Sequence, residues 1–130
     1  MKDGSIFMPP RMLGSHIILD LWGVPRGSLD SPSELERLLE DAAVCGGATV
    51  VDSCFHRFEP QGVTGVLILA ESHVAVHTWP EIGYAAVDVF TCGAEGVADA
   101  VADEVLSRLT PSRHRRQHVT RGLAVERKVS

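Results

Sequence analysis

Residues 71–81 read ESHVAVHTWPE and follow the apolar run GVLILA at 65–70. In an extended chain, side chains alternate between two faces, so His73 and His77 share one face while valines and a threonine occupy the other. This alternation predicts a strand with one buried face, paired with a strand formed by the apolar run. Ser72 stands at the join between the two strands, where a tight turn would expose its hydroxyl and strain its backbone.

Two amphipathic helices are predicted on either side of this central region. The sequence SPSE at 31–34 is a capping box with proline at the first helical position, so it predicts the start of a helix. Leucines and alanines then recur at helical spacing until Gly46 and Gly47 end the run. Apolar residues between 97 and 109 predict a second helix, which Pro111 stops.

Six strands are predicted around these helices, at residues 16–21, 49–55, 63–70, 73–78, 84–91 and 119–125. The last strand contains a glycine and several arginines, which favours an edge position. The first dozen residues are predicted to be a loose arm. The order of elements indicates an α+β fold, a two-layer sandwich whose largely antiparallel sheet carries two helices on one face. The uncovered face then needs a partner, most simply a second copy.

The composition indicates a single domain, residues 1–130, with 45% hydrophobic residues. No apolar run approaches the roughly 20 residues that a membrane span requires, and the N-terminus lacks a secretion signal, so a cytoplasmic protein is expected. The three cysteines have no paired spacing, and Cys45 and Cys54 are predicted to be buried. The net charge of -5 and the lack of aromatic residues among the C-terminal arginines argue against a nucleic-acid partner.

The hydroxyl and imidazole groups of the central segment allow three kinds of function. Ser72 could attack an external carbonyl with His77 as base and Asp88 as orienting acid, although the usual nucleophile motif is absent. His73 and His77 could bind a metal ion with Glu71 or His56, although no known metal-binding motif is present. The segment could also belong to a module that binds a small ligand. In that case Ser72 would only cap a turn, and the histidines would only make structural hydrogen bonds. Spacing alone leaves the three open.

Three adjoining motifs resemble those of the prokaryotic S-adenosylmethionine decarboxylase proenzymes: FEPQG at 58–62, ESH and HTWPE within 71–81, and GYAAVDVFTCG at 83–93. The resemblance implies an enzyme that cuts itself between Glu71 and Ser72, giving a β chain of residues 1–71 and an α chain of residues 72–130. It implies that Ser72 becomes a pyruvoyl group, a covalent cofactor. Such a group forms a Schiff base with the substrate amine and accepts electrons as carbon dioxide leaves.

The resemblance also implies a role for individual residues. His77 corresponds to the histidine that accepts a proton during processing, a role that suits an imidazole because its pKa is near neutral. Cys92 corresponds to the proton donor of the decarboxylation. Thr64 stands where the family usually has a serine that assists processing, so its extra methyl predicts slower maturation. Phe58 corresponds to the aromatic residue that stacks on adenine, and Glu81 to the glutamate that binds the ribose hydroxyls.

The implied reaction converts S-adenosylmethionine to the aminopropyl donor of polyamine and spermidine synthesis. The resemblance further implies a homodimer with sites near the protomer boundary and no metal ion. Two alternatives stay open: a pyruvoyl-dependent decarboxylase of ornithine or arginine on the same scaffold, and an unprocessed homologue that binds a ligand. Phe58 and Glu81 favour the nucleoside substrate, because a decarboxylase of ornithine or arginine has no use for a nucleoside pocket.

Overall fold

A six-stranded antiparallel sheet forms the centre of the computed structural model, which describes residues 6–8, 13–92, 95–122 and 127–129. The strands are, in chain order, β1 (Ile6–Met8), β2 (Gly14–Trp22), β3 (Val50–Arg57), β4 (Val63–Leu69), β5 (Ser72–Trp79), β6 (Tyr84–Thr91), β7 (Arg113–Arg121) and β8 (Arg127–Val129). The central sheet has the order β3-β4-β5-β6-β2-β7, and β1 pairs separately with β8. Because β5 and β6 are antiparallel, the start of β5 lies beside the end of β6.

The helices of the described residues are α1 (Arg26–Leu29), α2 (Pro32–Cys45), the 3-10 helix Pro80–Ile82 and α3 (Val97–Leu109). As predicted, α2 begins at the capping box: the Ser31 hydroxyl accepts a hydrogen bond from the Glu34 backbone N–H at 3.3 Å. The helices α2 and α3 pack against each other and against one face of the sheet. The predicted α+β two-layer architecture is confirmed.

The two faces of the sheet differ in cover. On the face beneath α2 and α3, alternate residues such as Leu19, Leu67 and Val87 are buried in one continuous apolar core. The opposite face, here called the open face, has no cover from any element that the structure describes. On β5 the open face consists of His73, Ala75, His77 and Trp79, and these residues are half-buried or exposed.

The last strand of the central sheet differs from the prediction. It spans Arg113–Arg121, whereas the sequence predicted a strand at 119–125, and residues 123–125 lie outside the described part. Its bounds follow from pairing along the whole of β2, where Trp22 lies opposite Arg113. Most residues of β7 are exposed, so no alternation of apolar and polar residues marks the strand in the sequence. Its predicted edge position is confirmed.

Two smaller predictions are wrong. Residues 6–8 of the supposed loose arm form β1 and pair with residues 127–129, while the other residues of that arm lie outside the described part. Cys45 and Cys54 are exposed, because Cys45 ends α2 and Cys54 lies on the open face of the edge strand β3. Among the described residues, no helix has the length and apolar character needed to cross a bilayer.

Candidate active site

A first group of side chains, the turn cluster, consists of Glu71, Ser72 and Cys92 at the start of β5 and the end of β6. The carbonyl oxygen of Glu71 accepts two hydrogen bonds from Cys92, one from the backbone N–H at 3.0 Å and one from Sγ at 2.8 Å. The Glu71 carboxylate accepts a hydrogen bond from the Thr49 backbone N–H at 3.2 Å. The peptide bond between Glu71 and Ser72 is therefore held at both its carbonyl oxygen and the preceding side chain.

Ser72 itself differs from the prediction in one respect. It is the first residue of β5 and lies directly opposite Thr91, so it has extended rather than turn backbone. Among the described residues that are not glycine, only Thr110 has a positive φ. The strained backbone predicted for Ser72 is therefore not found. The prediction that Ser72 stands at the junction of two paired strands is confirmed.

A second group, the pocket cluster, consists of Phe58, Thr64, His77 and Glu81. Thr64 and His77 face each other across β4 and β5, and Thr64 Oγ1 lies 3.0 Å from His77 Nδ1. The Phe58 side chain is 48% exposed, and its ring makes a T-shaped contact with His56, with the ring centroids 4.6 Å apart. An open cavity of about 280 Å³ is lined by Phe58, Gln61, Gly62, Val63, Thr64, His77, Thr78, Trp79 and Glu81. The structure thus brings four predicted site residues together around one cavity.

The two clusters lie at opposite ends of the same strand. Ser72 opens β5, whereas His77 stands five positions further along it, which corresponds to about 17 Å in an extended chain. A base must come within hydrogen-bonding reach of the proton that it removes. His77 is therefore too far along the strand to act on position 72 of its own chain, and the two clusters do not form one site within a single protomer.

The contacts do not support a serine hydrolase or a metal site, the two other kinds of chemistry that the sequence allowed. Asp88, considered as an orienting acid for His77, instead lies 3.1 Å from Nε2 of His16, while His77 pairs with Thr64. A serine hydrolase triad is consequently not assembled in this chain. Among the described residues, no three histidine, cysteine or acidic side chains are grouped so that they could hold a metal ion.

Sequence reasoning missed the residues that shape the pocket from behind. The buried Thr78 hydroxyl donates to the Leu29 carbonyl at 2.7 Å and accepts from the Val63 backbone N–H at 2.8 Å. Asp30, at the corner between α1 and α2, accepts hydrogen bonds from Arg57 and from the Gly62 backbone. No local pattern marks Asp30, because its partners lie about thirty positions away in the sequence.

Most of the chain matches one family of known proteins. The sequence profile described as S-adenosylmethionine decarboxylase matches residues 15–122. The chain belongs to the S-adenosylmethionine decarboxylase family. It is 45% identical to the S-adenosylmethionine decarboxylase proenzyme of Methanococcus vannielii over 113 residues, which cover 87% of this chain and 93% of the relative. It is 41% identical to the proenzyme of Aquifex aeolicus over 116 residues, covering 89% of this chain and 86% of the relative.

Solved structures of S-adenosylmethionine decarboxylases share the fold. The crystal structure of the adenosylmethionine decarboxylase from Aquifex aeolicus matches with a TM-score of 0.82 at 41% identity, covering 86% of this chain and 92% of that chain. The Trypanosoma brucei AdoMetDC-delta26 monomer matches with a TM-score of 0.56 at 16% identity, covering 88% of this chain and 52% of that one. The second similarity concerns the fold alone.

Proposed function

We propose that this chain is a self-processing decarboxylase that acts on S-adenosylmethionine. It cuts itself between Glu71 and Ser72 into a β chain of residues 1–71 and an α chain of residues 72–130. Ser72 becomes a pyruvoyl group at the start of the α chain. The product, decarboxylated S-adenosylmethionine, is an aminopropyl donor for polyamine synthesis. Membership of the S-adenosylmethionine decarboxylase family supports this reaction.

The observation that carries the proposal is the pair of hydrogen bonds on the Glu71 carbonyl oxygen. Both come from Cys92, at 3.0 Å and 2.8 Å. Two donors on one carbonyl draw electron density towards the oxygen and stabilise the negative charge that forms there under attack. An ordinary turn carbonyl has no need for a thiol donor in addition to a backbone donor, so this arrangement fits a carbonyl that reacts.

The self-processing reaction then follows from the residues of the turn cluster. Ser72 Oγ attacks the Glu71 carbonyl carbon, and the C–N bond breaks, so that an ester replaces the peptide bond and the amine of position 72 is freed. A base removes the α-proton of position 72, and the main-chain carboxylate of Glu71, now the C-terminus of the β chain, leaves by β-elimination. Water hydrolyses the resulting enamine, after tautomerisation to an imine, and ammonia departs, leaving the pyruvoyl ketone.

The base for this elimination comes from a second copy of the chain. The distance of about 17 Å along β5 excludes His77 of the same protomer. If two open faces pack about a twofold axis that runs across the strands, the start of one β5 lies over the end of the other. Each turn cluster then meets the pocket cluster of its partner, and a homodimer contains two composite sites.

In the mature enzyme, the pyruvoyl group supplies an electrophilic carbonyl that holds the substrate amine and accepts electrons as carbon dioxide leaves. Cys92 is placed beside position 72 and returns a proton to the substrate α-carbon. Phe58 offers an exposed ring face for the adenine base, and Glu81 at the rim of the cavity accepts hydrogen bonds from ribose hydroxyls. The sulfonium charge is also attracted to aromatic faces such as those of Phe58 and Trp79.

Mass measurement of the purified, denatured chain tests the processing. We expect two fragments that separate between positions 71 and 72, and phenylhydrazine should modify only the second. Ser72→Ala should remain one inactive chain, whereas Ser33→Ala, at an exposed serine of α2, should mature normally. An intact, carbonyl-free wild-type chain would contradict the proposal.

Release of labelled carbon dioxide tests the substrate. We expect turnover of carboxyl-labelled S-adenosylmethionine and none of ornithine or arginine. Preferential release from ornithine or arginine would retain the pyruvoyl chemistry but reject the nucleoside pocket.

A further inference from the structure

The loop between β3 and β4 carries Phe58 into the cavity and is fastened by one guanidinium group. Arg57 donates to the Asp30 carboxylate at 3.1 Å, to the Pro60 carbonyl at 3.1 Å and to the Glu59 carboxylate at 3.0 Å. Its Nε also donates to the Asp30 carbonyl at 3.3 Å. Movement of the loop away from Arg57 would therefore break the hydrogen bonds that the charged guanidinium makes to Glu59 and Pro60.

Asp30 holds the same loop from its other end. One carboxylate oxygen accepts from the Gly62 backbone N–H at 3.0 Å, while the other pairs with Arg57. The loop is closed upon itself as well, since the Phe58 backbone N–H donates to the Gly62 carbonyl at 2.8 Å. Gly62 has a φ of +104°, a conformation that favours glycine, so this turn needs a glycine at position 62.

Asp30 and Arg57 stabilise each other in their charged forms. The backbone N–H of Gly62, together with the guanidinium of Arg57, holds the pKa of Asp30 below its usual range. The hydrogen bond to Asp30 raises the pKa of Arg57. Both groups are therefore fully charged at neutral pH. Neither group lines the cavity, so their effect on a bound molecule must pass through the loop.

We propose that Asp30 and Arg57 are positioning residues that preorganise the 58–62 loop and so hold the Phe58 ring in place as the adenine-binding wall. This inference rests on the proposed function, because it requires that Phe58 contacts the nucleoside. A preformed wall lowers the ordering cost of binding and leaves the chemical step, at the other cluster, unaffected. The expected signature is a change in KM without a change in kcat.

The test compares kinetics of fully matured enzymes. Asp30→Asn retains the size of the side chain and an acceptor for Gly62 but removes the charge that pairs with Arg57. We expect normal self-processing, a KM for S-adenosylmethionine raised about tenfold and a kcat within about twofold of wild type. Arg57→Lys should also raise KM, because its single ammonium nitrogen cannot replace the three guanidinium nitrogens that contact Asp30, Glu59 and Pro60. It also serves as the test if Asp30→Asn fails to mature.

A double-mutant cycle with Phe58→Ala separates positioning from general stability. Without the ring, Asp30→Asn should change KM by less than about twofold, because the wall that it holds is already absent. Asp41→Asn, which removes a charge from an exposed surface pair, should leave KM unchanged in either background. An unchanged KM in Asp30→Asn, or the same tenfold increase without Phe58, would overturn the inference. A wild-type chain that releases no carbon dioxide would instead reject the proposed function.

Discussion

At the scale of single residues, the two donors of Cys92 are the most consequential contacts. Substitution of Cys92 by alanine retains the backbone donor and removes the thiol donor. We predict that Cys92→Ala slows self-processing about tenfold in addition to its effect on turnover, because loss of one donor at a reacting carbonyl weakens transition-state stabilisation. The measurement is a time course of freshly translated chain on a denaturing gel.

Cys54→Ala provides the matched control for this prediction, since Cys54 is also an exposed thiol but lies on β3. It should mature at the wild-type rate. Processing of Cys92→Ala at the wild-type rate would show that the Sγ contact plays no part in the attack on Glu71.

Tyr84 permits a second test at this scale, because the chain contains one tyrosine. Its hydroxyl donates to Asp20, and this hydrogen bond, with burial and the nearby charge, raises the pKa of Tyr84 to about 12. The neutral phenol is therefore the stabilised form. Its contribution to stability is complete below the unfolded pKa of about 10 and is lost as the pH rises towards 12.

We predict that tyrosinate absorbance develops near pH 12 in the native protein and near pH 10 after denaturation. Asp20→Asn should lower the pKa of Tyr84 in the native protein towards 10, while Asp41→Asn should leave this pKa unchanged. A native midpoint near 10 in the wild-type protein would exclude the Tyr84–Asp20 hydrogen bond in solution.

At the scale of elements, the pairing of β3 with β4 depends on one glycine. Gly65 lies directly opposite Phe55, and a Cβ at Gly65 would stand 2.1 Å from the Phe55 ring. Displacing the ring would disturb the core beside Thr64. We predict that Gly65→Ala lowers the free energy of unfolding by about 1–3 kcal/mol, the usual effect of overpacking. Urea denaturation measures this change.

Gly27→Ala in α1 is the control for Gly65→Ala. An added Cβ there meets nothing within 4 Å, and the position has no positive φ. It should leave stability unchanged or raise it by about 0.5 kcal/mol. Equal destabilisation by the two substitutions would mean that the Phe55 ring does not restrict position 65.

At the scale of the whole molecule, the separation of Ser72 from His77 predicts complementation between two inactive chains. Neither Ser72→Ala nor His77→Ala should mature alone. In a mixed dimer, one composite site combines Ser72 of the His77→Ala chain with His77 of the other chain. We predict that co-expression yields cleaved fragments from the His77→Ala chain only, which mass spectrometry distinguishes.

The arrangement of the site decides the outcome of that mixture. If each site were built from one chain, the mixture would contain no cleaved chain at all. Cleavage of the Ser72→Ala chain would contradict the assignment of Ser72 as the attacking residue. Size measurement of the mixture confirms whether mixed dimers have formed.

Much of the fold was determined by the sequence itself, because its signals are local. The two-residue alternation at 73–78 and the capping box before α2 depend only on neighbouring residues, and both elements occur where they were predicted. The family resemblance likewise pointed to Phe58, Thr64, His77 and Glu81 as candidate site residues, and these four line one cavity. Signals within short stretches of sequence were therefore enough to predict these two elements and to identify candidate site residues.

Only the tertiary structure decided which of those residues meet. Strand register depends on pairing between distant segments, so it placed Cys92 on the Glu71 carbonyl and left His77 about 17 Å from Ser72. Long-range contacts also fixed the bounds of β7 and joined Asp30 to the 58–62 loop. Such contacts leave no periodic trace in the chain, because their partners are chosen by three-dimensional packing rather than by spacing along the sequence.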